Sequence, residues 1–118
     1  MDSARFFNIT RQAALAGQAR MATSFLDRSR GLLFARPIVS GEGLFLMPCN
    51  SIHMFGMTYA IDAIFLDDAY KVVALVENIK PMHISMIYFK ATSCLELPVG
   101  TIINTKTAVG DQVEIAPL

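Results

Sequence analysis

The stretch AIDAIFLDDAYKVVALVENI, residues 60–79, constrains the fold more than any other part of the chain. Read with the two-residue period of a strand, AIDAIFL (60–66) is apolar on both sides. Ile61, Ala63 and Phe65 take one face, and Ile64 and Leu66 the other. A strand of this kind must be covered on both faces, which predicts a central place in a sheet. DDAY (67–70) has the length and composition of a hairpin loop, and KVVALVENI (71–79) reads as the returning strand. Asp62 is the anomaly in this pattern, because an ionised carboxylate among strand apolars needs a partner.

Further strands are expected on either side. RFFNIT (5–10) has aromatic and β-branched bias, and QARMA (18–22) can return beside it after a turn at Gly17. LFLM (44–47) follows the GEG turn and stops at Pro48, SIHMF (51–55) reads as a strand broken at Gly56, and SCLEL (93–97) and QVEI (112–115) complete the set. KPMHISMIYFKA (80–91) fits neither period and is expected to be irregular, while PVGTIINT (98–105) suits one short helical turn. One α-helix is predicted near residues 24–34, where Phe25, Leu26, Leu32 and Leu33 form an apolar stripe. Thr23 or Ser24 can cap its start, and Pro37 ends it. The fold class is mainly β (α+β), a compact barrel-like domain of about seven short strands with that helix.

At 118 residues the chain is expected to be a single domain, 1–118, large enough to bury a core without disulfides or a structural metal. Ten basic and ten acidic residues cancel, so there is no overall positive field to attract nucleic acid or an anionic membrane. Arg20, Arg28, Arg30 and Arg36 are a local basic stretch without interleaved aromatics, which reads as a solvated face. No apolar run approaches the ~20 residues of a membrane span. The polar opening MDSARFFNIT does not resemble a signal peptide. Cytoplasmic localisation is the expectation, with Cys49 and Cys94 as thiols rather than a bridge.

Five segments occur in an order that resembles a known family: RSRGLLF, GEGLFLMP, SIHMFGMTYAIDAIFLD, LELPVGT and VGDQVEI. Together, over about residues 18–115, they resemble domain of unknown function family 192, small bacterial and archaeal proteins of undetermined role. The resemblance implies a compact β-rich fold with one helix and brings no assigned catalytic residue or cofactor. It marks Arg30, Gly31, His53, Gly56, Met57, Asp62, Glu96 and Gly100 as places of interest. Met54 stands where the family pattern usually has Thr, and Ala60 where Pro often precedes Ile-Asp.

The candidate pocket consists of Arg30, His53, Met57, Asp62 and Glu96. Arg30 could pair with Asp62 or Glu96, either as a clamp pinning helix to sheet or as part of a polar pocket. Ser51 and His53 share one side of their segment, where the imidazole serves as a structural hydrogen-bonding group or as a ligand-binding one. Three functions remain open: a non-catalytic binding or accessory domain with a small polar pocket between helix and sheet for a small molecule or a protein partner, a small enzyme using His53 with Asp62 or Glu96 as acid and base, and a copper-handling protein using Cys49, His53 and Met57. The irregular donor spacing and the gap-filling habit of methionine weigh against the metal, so no cofactor is expected. No nucleic-acid or membrane partner is expected, and the sequence leaves ligand and oligomeric state open.

Overall fold

The structure, a computed structural model, describes residues 2–23 and 37–118. Its seven strands are β1 (Ser3–Asn8), β2 (Ala13–Ala22), β3 (Glu42–Leu46), β4 (Ile61–Leu66), β5 (Val72–Ile79), β6 (Ser93–Leu97) and β7 (Val113–Pro117). They form one sheet in the order β5-β4-β6-β3-β2-β1-β7. Only β2 and β3 run parallel. The sheet curls so that its first and last strands approach: Lys71 bridges Gln112, and the Val72 N–H donates to the Asp111 carbonyl at 2.9 Å. The result is the barrel-like half-barrel the strand count implied. The helix expected at 24–34, and Arg30 with it, lie outside the described residues. The one helix among the described residues is α1 (Thr101–Thr105), within the segment 98–105 expected to make a helical turn.

β4 is buried at all six positions, as its two-sided apolar pattern requires. One face, carrying Leu44, Leu46, Ala63, Phe65 and Cys94, packs under the segments 50–57 and 82–91. The other, carrying Phe6, Phe45, Ile64, Leu95 and Leu97, closes around Ile102 of α1. Gly43 sits where β3 crosses β6. A Cβ there would lie 3.1 Å from both the Glu96 carbonyl oxygen and Leu97 Cδ2, so the close approach of these strands favours glycine.

Two local expectations are corrected. The chain turns at residues 9–12, with Gln12 at φ 56°, and β2 then continues through Gly17, where its pairing with β1 shifts register between Ala16 and Ala19. The alanines of this strand lack β propensity of their own. Tertiary packing overrides that, because Ala16 and Ala19 are buried where only small side chains fit beside Gly43. Residues 51–55 are likewise not a strand of the sheet; they make a single bridge, His53 to Ile84. They form an irregular ribbon with 82–89 that lies over the first face. No described helix is long and apolar enough to cross a membrane.

Candidate functional site

The ribbon builds the site. The Met54 N–H donates to the His83 carbonyl at 2.8 Å, the Ser85 N–H to the Ile52 carbonyl at 2.9 Å, and the Tyr88 N–H to the Asn50 carbonyl at 2.8 Å. The buried Ser85 hydroxyl accepts from the Ile52 N–H at 2.9 Å and donates to the Met86 carbonyl at 2.9 Å. These bonds satisfy backbone groups that a regular sheet would otherwise pair. They also hold residues 48–53 at the edge of a cavity of about 260 Å³. Among the described residues it is lined by Leu46, Pro48, Cys49, Asn50, Ser51, Ile52 and His53. That volume is just below the ~300 Å³ at which small-molecule pockets usually begin. It suits a compact ligand or one inserted side chain.

Glu96 and two thiols lie on the same side of the sheet. Alternation along β6 puts Cys94 and Glu96 on the first face, with Ala63 and Leu44 beside Glu96. The Cys49 N–H donates to the Thr92 carbonyl at 3.0 Å, which brings Cys49 onto this face as well. Its thiol donates to the Ser51 carbonyl at 3.2 Å. Neither cysteine is in a disulfide, and Cys49 is half-buried while Cys94 is fully enclosed. Burial, then hydrogen bonding to Cys49, pushes the Cys94 thiol well above its ordinary range. Glu96 is 3% exposed, and among the described residues no donor reaches its carboxyl within hydrogen-bonding distance. Burial, reinforced by charge at Cys49, pushes its pKa up to about 8. Glu96 therefore holds its proton at neutral pH.

Asp62 is elsewhere. It is on the opposite face from Glu96, towards α1, so the two carboxylates do not share a pocket. Three backbone amides satisfy it: Asn78 N–H at 2.9 Å to one oxygen, and Gly100 at 3.1 Å and Ile102 at 3.0 Å to the other. Gly100 reaches this position at φ 97°, which costs a glycine little. The partner that this carboxylate needs is thus not a cation among the described residues. Amide donors at a strand bulge and at the start of α1 do the work, and Asp62 ties helix to sheet.

His53 is exposed at the cavity rim, its ring centroid 5.0 Å from that of Phe55, and its Nδ1 accepts from the Phe55 N–H at 3.3 Å. Met57 is buried in the core and is absent from the described cavity lining. Of the five candidates, His53, Met57 and Glu96 lie on the ribbon-covered side, Asp62 lies on the opposite face, and Arg30 is outside the described residues. Sequence reasoning missed Asn50 and Ser85, whose roles arise from an irregular pairing with no periodic signal. It also missed a clamp at the far end of the sheet. There buried Asp111 accepts from Arg11 at 2.9 Å, Asn8 at 3.0 Å and the Ala108 N–H at 2.9 Å. Desolvation opposes ionisation of Asp111, but these donors together hold it below the usual carboxylate range.

An established family, described as an uncharacterized ACR, matches residues 7–115 of this chain. The chain belongs to the DUF192 family. Its relatives include UPF0127 proteins of Thermococcus sibiricus and Pyrococcus horikoshii. Each is 33% identical over 112 residues, or 91% of this chain, covering 71% and 95% of the relative respectively. Among solved structures, a Novosphingobium aromaticivorans protein of unknown function superposes with a TM-score of 0.79 at 18% identity, covering 95% of this chain and 83% of its own. A Sinorhizobium meliloti protein, named only provisionally as a transcription regulator, gives 0.79 at 19% identity over 97% of this chain and 92% of its own. At such identities the likeness establishes the fold alone.

Proposed function

We propose that this DUF192 chain is a non-catalytic binding domain whose ligand occupies the cavity lined by Leu46 and residues 48–53. The observation that carries the reading is the makeup of that cavity. Leu46, Pro48 and Ile52 offer apolar contact, and Cys49, Asn50, Ser51 and His53 offer polar groups at its edge. Polar groups grouped beside an apolar base can fix a ligand's orientation while the base supplies contact area. A small molecule, or one side chain of a partner protein, fits the volume. Native mass spectrometry of the protein purified from its own host tests this. A stoichiometric small-molecule or peptide adduct is expected; a bare chain, or one carrying stoichiometric copper, overturns it.

One observation favours a second reading. Burial and charge at Cys49 raise Glu96 to about 8, which keeps an enzyme using His53 with Glu96 in view; Glu96 itself lies outside the described lining of the cavity. Turnover of the copurified ligand on incubation, lost in Glu96→Gln, would select the enzyme over the binding domain.

A further inference from the structure

We propose that the ridge formed by Met82, Ile84, Met86, Ile87 and Phe89 docks onto an anionic lipid surface. These side chains stand out from the ribbon, with exposures from 55% at Ile87 to 87% at Phe89, and Phe55 adds to them at 45%. Their direction is set by the backbone. The bonds from 83, 85 and 88 to residues 50–54 turn Ser85 inward, and Tyr88 packs its ring 4.7 Å from that of Phe65, leaving the intervening apolar side chains outside. So many large apolar groups exposed in one short segment mark an interaction surface.

The choice of a lipid surface rests on shape and charge. Side chains exposed to this degree form a projecting ridge; a groove that receives a peptide would half-bury its lining. Projecting Phe, Ile and Met side chains can enter the boundary between headgroups and acyl chains, where lysines beside them reach anionic headgroups. Lys80 and Lys90, both exposed, flank these residues in the sequence, and no Asp or Glu occurs between Glu77 and Glu96. The zero net charge of the whole chain conceals this local arrangement. The inference is independent of what fills the cavity.

Cosedimentation with vesicles provides the test, using phosphatidylcholine alone and phosphatidylcholine mixed with phosphatidylglycerol. The full chain should bind the mixed vesicles more tightly than the neutral ones, and added salt should reduce the difference. Met86→Ser with Phe89→Ser should weaken binding to mixed vesicles by about tenfold or more. Lys80→Glu with Lys90→Glu should remove the preference for the anionic lipid. Circular dichroism checks that these surface variants fold. Absence of vesicle binding by the folded wild type, or binding that either double variant leaves unchanged, overturns the proposal. Sedimentation velocity supplies the remaining outcome: a dimer that the Ser variant dissociates would assign the ridge to a second copy of the chain instead.

Discussion

Replacing Glu96 with Gln should abolish a specific pH dependence of stability. In the folded chain burial raises this carboxyl from an ordinary 4.5 to about 8. Between those values the native state keeps a proton that the unfolded chain has released, so stability falls as pH rises and levels off above pH 8. A rise of about 3.5 units, at about 1.36 kcal/mol per unit, amounts to a loss on the order of 5 kcal/mol across the window. That is a large share of the ~5–15 kcal/mol available to a domain. Gln resembles the protonated acid in shape and carries no charge. The variant should therefore match wild type within about 1 kcal/mol near pH 5 and exceed it by several kcal/mol near pH 8.5. Urea unfolding of both proteins at intervals of pH provides the measurement, because the difference between the two curves cancels other titrating groups. Parallel curves would show that Glu96 ionises normally and would refute the reasoning.

Asp62→Asn should cost about 2–4 kcal/mol, since the amide must turn an N–H₂ group towards one of the three backbone donors that now meet an oxygen. His53→Ala should cost less than about 1 kcal/mol, because the ring is exposed and its one bond is long. Denaturant midpoints at one pH compare them, and a larger loss for His53→Ala would make the imidazole part of the scaffold. A thiol reagent should modify Cys49 in the native protein and reach the enclosed Cys94 only after unfolding. Two equally fast thiols in the native state would contradict the packing of Cys94.

Much of the fold was legible because β4 and β6 carry their environment in their composition. A strand apolar on both faces has only one kind of place in a sheet, and Ile61–Leu66 takes it. Segment 18–22 announced only part of β2, because alanine-rich strands depend on neighbours such as Gly43 that the local sequence does not reveal. The anomaly at Asp62 was visible, but its remedy was not. Backbone amides belong to every residue, so nothing in the sequence singles out Asn78, Gly100 and Ile102 as donors. The assembly of Asp62 with Glu96 into one pocket failed on parity: with Asp62 opposite Leu97 and Ala63 opposite Glu96, the two carboxylates alternate onto different faces. The cavity rim lies in CNSIHMFGM (49–57), whose polar and sulfur residues follow no regular period, and its partner segment 82–89 has no periodicity to identify it.

Filling the cavity tests the central claim most directly. Asn50 is exposed on the cavity wall, and Asn50→Trp adds bulk there while its backbone carbonyl still accepts from Tyr88. Wild type and variant, purified from the same host and matched for thermal unfolding, should differ in their native mass spectra. The account predicts an adduct on wild type that the variant lacks. Equal adducts on both, or none on either, would contradict it.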